Sequence, residues 1–407
     1  MNDAAEMMTS RPGSTIDPAV ARALELANCT TLDALSVECL ARHAGVSRTV
    51  LGERFQRAFG QPPMRYLARR RLHDAAASLA AGTQTIGQLS HAAGFASEAA
   101  FSKAFRREFG EPPAAWRRRH AARSHRALPQ SRIAYCVAGD GPMLAWAEAG
   151  DGFPLVKAAN WLNHLVLDWE SPVWTPLMAE LTRNNRLIRY DERGTGLSDW
   201  TAADISFERF VHDLECVVDA AGLDRFDLFG ISQGAAVAVA YCQRHPGRVR
   251  RLVMHGGYAT GWQLRTTPEE RRAREAMITL TRTGWGADHG AFREMFTRQF
   301  IPGANREQTE WFNELERATA SPENAARIQE ALGPVDVRSC LADVEIPTLV
   351  MHARRDRMIP YAAGVMLARG IPGARFVALD SERHVPMDDD PAWPEFRKEL
   401  RAFLDAP

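Results

Sequence analysis

The 407-residue chain is expected to fold as two domains of different class: an all-α domain, then an α/β domain with a mostly parallel, doubly wound sheet and a helical cap. Three observations predict this. The pattern of residues 44–63 recurs fifty positions later, short apolar runs alternating with helical stretches begin only at Arg132, and the charge divides at about the same place. Residues 30–126 hold 16 Lys/Arg against 7 Asp/Glu, and the rest of the chain holds 34 against 43. The net charge of zero therefore conceals a basic segment suited to a polyanion and an acidic segment of ordinary enzyme size.

The repeat defines the first domain. Ala44-Gly45-Val46-Ser47, Phe55, Phe59-Gly60 and Pro62-Pro63 match Ala93-Gly94-Phe95-Ala96-Ser97, Phe105, Phe109-Gly110 and Pro112-Pro113, with one extra residue near Ala96. Each copy begins with a short helical pattern, around Val37 to Ala41 or Ile86 to Ser90. A Gly-containing break follows, then a helix opened by Ser47 or Ser97, both good N-caps. Helix, short Gly-bearing turn, helix is the helix-turn-helix pattern. Apolar residues at i and i+4 (Leu51, Phe55, Phe59; Phe101, Phe105, Phe109) give each second helix one face to bury. Paired prolines stop these helices, and residues 64–81 read as one long connecting helix. A rigid connector would hold two recognition helices about one DNA turn apart, roughly 34 Å, within reach of successive major grooves. The plainer alternative is a helical bundle with a solvated basic face; duplication, caps and charge surplus together argue against it.

Residues 42–119 resemble the DNA-binding domain of AraC/XylS-type bacterial transcriptional regulators. The second unit carries the match most fully, through Ile86, Leu89, Ala92-Ala93-Gly94-Phe95, Ser97, Phe101, Phe105-Arg106-Arg107, Phe109-Gly110 and Pro112-Pro113. By position, the resemblance implies that Thr49, Gly52 and Glu53, then Glu98, Ser102 and Lys103, face base edges. Arg48, Ser97 and Arg106 are placed for phosphates, which position a protein without specifying sequence. Such regulators commonly carry this domain last, behind a ligand-sensing domain. Here it comes first.

The boundaries expected are a disordered stretch 1–18, the tandem helix-turn-helix domain 19–120, a linker 121–131, and the α/β domain 132–407 with its cap near 262–336. Within the last, strand-like runs fall at 133–137, 144–147, 155–158, 186–190, 226–229, 251–254, 348–351 and 375–378, with a hairpin at Gly139-Asp140-Gly141. Between the fifth strand and a helical run from Ala235 lies Gly230-Ile231-Ser232-Gln233-Gly234, a G-x-S-x-G that reads as a nucleophile elbow. A serine hydroxyl is a poor nucleophile until a base takes its proton, so partners are sought downstream in the order acid, then histidine. Asp356, after the seventh strand, is the candidate acid; His384, after the eighth, is the candidate base and later acid. His164, His255 and His352 compete for the base, and Asp380, Asp388, Asp389 and Asp390 for the acid. His255 and His352 come too early in the chain, and the last three aspartates read as a solvated turn before Pro391. An oxyanion hole needs two backbone N–H groups. Gln233 supplies one as the residue after the nucleophile, and Trp161, just past the third strand, is the candidate for the other.

From about 132 to 406 the chain resembles the α/β-hydrolase superfamily. Besides the elbow, Tyr190-Asp191-Glu192-Arg193-Gly194-Thr195-Gly196-Leu197-Ser198 is similar to its D-x-R-G-x-G-x-S turn, read here as structural, and Ile346-Pro347-Thr348 through Asp356 to its acid-bearing strand. Asn160 stands where the family more usually has a His-Gly pair. A serine rather than an aspartate nucleophile favours esters, thioesters, lactones or carbon–carbon bonds, and argues against haloalkane or epoxide hydrolysis. The cap would shape the pocket, with Trp262, Trp285 and Trp311 either lining it or packing the cap.

Six scattered cysteines without C-x-x-C spacing indicate neither a metal site nor a disulfide framework, and no cofactor is expected. The N-terminus lacks a signal-peptide pattern and no run is long enough to span a membrane, so a cytoplasmic location is the expectation. The expected partners are double-stranded DNA and a small molecule, with no membrane; homodimerisation suits a regulator but nothing in the sequence specifies it. The functional expectation is a sequence-specific regulator carrying a Ser-His-Asp hydrolase domain for a small ester, thioester or lactone. The alternatives are a catalytically inert ligand receptor and a plain serine hydrolase with a vestigial DNA module.

Overall fold

The computed structural model describes residues 19–20, 22–23, 26, 35–59, 62–80, 84–95, 97–109, 112–121, 131–285 and 291–406. The stretch 1–18 expected to be disordered, and the linker 121–131 apart from its two ends, lie outside them.

Among the described residues the first module contains α1 (Val37–Ala44), α2 (Arg48–Phe59), α3 (Pro63–Ala80), α4 (Ile86–Ala92), α5 (Glu98–Phe109) and α6 (Pro113–Ala121), and residues 19, 20, 22, 23 and 26 are helical as well. The pairs α1–α2 and α4–α5 are the two helix-turn-helix units, and α3 joins them. Its 18 residues make a rod of about 27 Å. Ser47 Oγ accepts the Val50 N–H at 3.2 Å and Ser97 Oγ the Ala100 N–H at 3.1 Å, so each second helix starts on a side-chain cap. Thr85 and Gln88 close α4 with a reciprocal capping box. Leu51, Phe55, Phe101 and Phe105 are fully buried. Phe105 meets the Trp116 ring edge-on at 5.7 Å, locking α5 against α6. The side chain of Phe59, expected on the buried face, lies outside the described residues.

All eight predicted strands form: β1 (Arg132–Val137), β2 (Met143–Ala149), β3 (Phe153–Lys157), β4 (Asn185–Tyr190), β5 (Phe226–Ile231), β6 (Val249–His255), β7 (Thr348–Ala353) and β8 (Arg375–Leu379). They make one sheet in the order β1-β2-β4-β3-β5-β6-β7-β8. The β1–β2 and β2–β4 pairs are antiparallel; every later pair is parallel. The central strand β5 is buried along its whole length, as a strand covered by helices on both faces must be. Outside the cap the α-helices of this domain are α7 (Leu167–Glu170), α8 (Thr175–Leu181), α9 (Phe207–Ala220), α10 (Gln233–Arg244), α16 (Tyr361–Gly370) and α17 (Trp393–Leu404), with α10 packed on β5. Between β6 and β7 the cap adds α11 (Trp262–Arg265), α12 (Pro268–Gly284), α13 (Ala291–Phe300), α14 (Arg306–Thr319) and α15 (Pro322–Ala331).

The Asp191 to Ser198 turn fixes the sheet's edge to these layers. Arg193 is fully buried, donating from Nε to Asp213 at 2.8 Å and from Nη1 to Asp140 at 2.7 Å. Asp191 Oδ1 accepts from Asn163 Nδ2 and from the Leu165 N–H, and Oδ2 from the Leu197 N–H, so one carboxylate clamps two loops. Cys136 on β1 and Cys216 on α9, 80 residues apart in sequence, approach to 3.2 Å between sulfurs as free thiols. Spacing alone gave no hint of this pair. Among the described residues no helix is long and apolar enough to cross a membrane.

Candidate active site

Ser232 sits between the end of β5 and the first residue of α10 with φ 55 and ψ −124. A non-glycine residue is strained there, and such strain collects at functional turns. The turn closes only because its flanks lack side chains. A Cβ on Gly230 would lie 2.6 Å from the Gly234 carbonyl oxygen, and one on Gly234 would lie 2.9 Å from that of Ala159. The Ser232 N–H donates to the His255 carbonyl at 3.0 Å, tying the turn to the end of β6.

Asp356 and His384, on the loops after β7 and β8, meet beside that strand end. His384 Nδ1 lies 2.8 Å from Asp356 Oδ2, and Asp356 Oδ1 accepts the N–H groups of Met358 and Ile359 at 2.8 and 2.9 Å. Burial opposes ionisation of Asp356, but His384 and these N–H donors hold its carboxyl below its ordinary value. A carboxylate only accepts, so Nδ1 carries the proton and Nε2 is the free base. His384 Nε2 is buried and makes no hydrogen bond, so the Ser232–His384 bond is not formed in this structure. Gly256 marks how close these groups lie: a Cβ on it would sit 2.9 Å from His384 Cε1, one residue beyond the carbonyl that holds Ser232.

The rival groups are held elsewhere. His255 Nε2 donates to the His384 carbonyl at 3.1 Å, and burial pushes this imidazole down to about 3, so it stays neutral. His352 Nε2 donates to the Ile359 carbonyl at 3.0 Å and lies 3.7 Å from Asp356. Burial lowers its value too. His164 Nδ1 accepts the N–H groups of Val166 and Leu167 in its own loop. Asp380 pairs with Arg355 on the surface. The turn before Pro391 is solvated as expected at Asp388 and Asp389, the latter binding Gln308 and Arg383, but Asp390 is buried and accepts the Ser381 hydroxyl at 2.6 Å. Burial accounts for Asp390 alone, since Asp388 and Asp389 stay exposed.

Ser232 opens into a cleft whose walls include Trp161, Gln233, Trp262, Phe296 and Phe300. The Gln233 N–H heads α10, where helix donors point outward. Trp161 lines the same cleft, on a loop held by buried polar contacts. Asn160 donates its N–H to Asn163 Oδ1 at 3.0 Å and accepts from Lys157 Nζ. Asn160 thus organises this loop without the His-Gly pair. Trp262 lines the cleft, whereas Trp285 is fully buried against Trp161 at 5.4 Å, donating to the Glu316 and Ala320 carbonyls. Trp311 is partly buried and packs the cap.

Sequence reasoning missed three residues here. Glu192, the variable position in the D-x-R-G run, is buried and accepts both oxygens' hydrogen bonds from Gln233 Nε2, at 2.9 and 3.0 Å. Burial pushes its carboxyl up to about 8. Arg265 and Arg274 of the cap also line the cleft, and nothing in a polar helical run marks which arginines turn inward.

On the helical module, Arg48, Thr49, Glu53, Ser97, Glu98, Lys103 and Arg106 are exposed, and Gly52 and Ser102 are half-buried, on α2, α5 and their caps. Arg48 is partly neutralised by an ion pair with Glu38 of α1.

Comparison with known proteins agrees with this division. The α/β hydrolase fold family matches residues 162–391, more than half of the chain, and a helix-turn-helix domain family matches residues 40–119. The chain belongs to the α/β hydrolase family and carries an AraC-type helix-turn-helix domain ahead of it. It is 29% identical over 246 residues to the AB hydrolase superfamily protein YisY of Bacillus subtilis, covering 58% of this chain and 87% of that one. Over 102 residues it is 40% identical to a Streptomyces lividans protein described as an AraC-like transcription regulator, covering 25% of this chain and 34% of the other. The esterase EaEST of Exiguobacterium antarcticum shares the fold, with a TM-score of 0.58 at 23% identity over 68% of this chain and 100% of that one.

Proposed function

We propose that the protein is a DNA-binding regulator whose hydrolase domain binds and cleaves a small ester, thioester or lactone with Ser232, His384 and Asp356. His384 Nε2 takes the Ser232 proton as Oγ attacks the carbonyl, and the N–H groups of Gln233 and Trp161 receive the oxyanion. The imidazolium then protonates the leaving alkoxide or thiolate. Water, activated by the same nitrogen, releases the acid and restores the serine. On the helical module, Thr49, Gly52, Glu53, Glu98, Ser102 and Lys103 meet base edges, while Arg48, Ser97 and Arg106 meet phosphates. The proposed domain limits remain 19–120 and 132–407.

One observation carries the catalytic reading: a strained Ser232 beside a histidine whose Nδ1 is held by a buried carboxylate and whose Nε2 is left to accept. The unformed Ser232–His384 bond favours the second reading, a receptor that keeps the fold without the chemistry, although such bonds often tighten only on substrate binding. A fluorescent fluorophosphonate separates the two. Labelling of the wild type and not of Ser232→Ala is expected; a folded wild type that resists labelling leaves the receptor.

A further inference from the structure

Arg265 on α11 and Arg274 on α12 both line the cleft that holds Ser232, and no Asp or Glu lines it with them. Arg265 is partly engaged: Nη1 donates to the Thr260 carbonyl at 2.8 Å, and the guanidinium stacks over Tyr258 at 4.5 Å. Neither contact is anionic, and Asp356, whose charge also reaches Arg265, is already engaged with His384. The Nε of Arg274 is buried without a hydrogen-bond partner, and no carboxylate lines the cleft beside it among the described residues. Two cations side by side in a largely apolar cleft repel each other and lose hydration. Burial comes first and Arg265 second in lowering Arg274 to about 10, a value at which it is still charged near neutrality. An arginine is retained in such a place when its planar fork has an anion to grip.

We propose that the substrate of Ser232 carries a carboxylate, gripped by Arg274 and Arg265, so that the cap selects acyl compounds bearing a negative charge. The cleft's remaining walls, among them Trp161, Phe296 and Phe300, take the carbon chain. The inference rests on the hydrolase reading for its chemistry, but the grip itself is a matter of binding.

Two measurements keep those apart. In the full-length Ser232→Ala protein, monomethyl glutarate is expected to bind at least tenfold more tightly than neutral dimethyl glutarate by calorimetry. Arg274→Gln in that background should remove the difference, and Arg274→Lys should restore part of it. In the protein with its serine, kcat/KM for mono-4-nitrophenyl glutarate should exceed that for 4-nitrophenyl butyrate by a similar factor, with the ratio falling as salt rises. Equal or inverted preference in both assays, or a preference that survives Arg274→Gln together with Arg265→Gln, overturns the proposal. If neither ester is hydrolysed while the binding difference persists, the carboxylate grip stands and the catalytic reading falls.

Discussion

The two halves of this chain present their working residues in opposite ways. On the helical module the candidate contacts stand on exposed faces of α2 and α5, and burial is reserved for Leu51, Phe55, Phe101 and Phe105 beneath them. In the hydrolase domain the candidate groups are themselves buried: Ser232 is 7% exposed and His384 1%. The difference follows from what each half must touch. A duplex is larger than the module, so its surface is read from outside. The small acyl compound proposed for the second would be enclosed, and enclosure strengthens every charge and dipole aimed at it. Recognition on the first half should therefore be salt-sensitive and additive, and chemistry on the second all-or-none.

Substitutions can break that contrast, and the largest effect is expected at the elbow. Ser232→Ala should lower ester turnover by about 10⁵- to 10⁶-fold, the scale seen when a triad nucleophile is lost. DNA affinity in a mobility-shift titration should stay the same; a parallel loss would mean that the halves are not separable. Next comes the buried Arg193, paired with Asp213 and Asp140. Arg193→Ala leaves two carboxylates uncompensated and should cost about 3–5 kcal/mol of hydrolase-domain stability in denaturant unfolding. On the exposed side, Arg106→Ala should weaken binding to any duplex by a similar factor and reduce the salt slope by about one. Sequence-selective loss would instead move Arg106 from phosphates to bases.

Glu192 tests burial by pH. Its carboxyl is pushed up to about 8, first by burial, so the folded state keeps a proton that the unfolded chain gives up near the ordinary value. Above the unfolded value, stability should therefore fall with rising pH, by at most about 1.4 kcal/mol per pH unit for this one proton, until about pH 8. Glu192→Gln can still accept from Gln233 and should flatten that slope in unfolding curves at several pH values. Asp191, also pushed up to about 8, leaves a residual slope. An unchanged slope would show that Glu192 is ionised in the folded protein.

How much of this was legible in the sequence differs between the halves for the same physical reason. Local rules wrote the fold: fifty-residue repetition, serine caps and alternating apolar runs located the helix-turn-helix units and all eight strands. The elbow was legible because its backbone strain demands small neighbours at Gly230 and Gly234. Apart from the Asp356–His384 pair, which the order of strands placed, contacts between segments apart in sequence were not legible. Glu192 meets Gln233 across 41 positions, Cys136 meets Cys216 across 80, and Asp390 turns inward to Ser381. Spacing carries no trace of such meetings, which depend on how layers close. The inward arginines of the cap belong with them, since a helix rich in charge gives no sign of which charges it hides.

The smallest expected effect separates two roles on a single side chain. Ser97 Oγ accepts the Ala100 N–H at the start of α5, yet its own proton is still free to donate to a phosphate. Ser97→Ala removes both, and should cost about 1 kcal/mol of helical-module stability together with a modest loss of DNA affinity. Ser97→Asp divides them. A carboxylate caps as well as a hydroxyl and suits the positive end of the helix, so stability should hold. Facing a phosphate, the same charge should repel it and lower affinity on every duplex. Ser47 caps α2 in the same way, and Ser47→Asp is the natural control. If Ser97→Asp leaves both stability and DNA affinity unchanged, Ser97 is a cap alone and the phosphate contact belongs to another residue of α5.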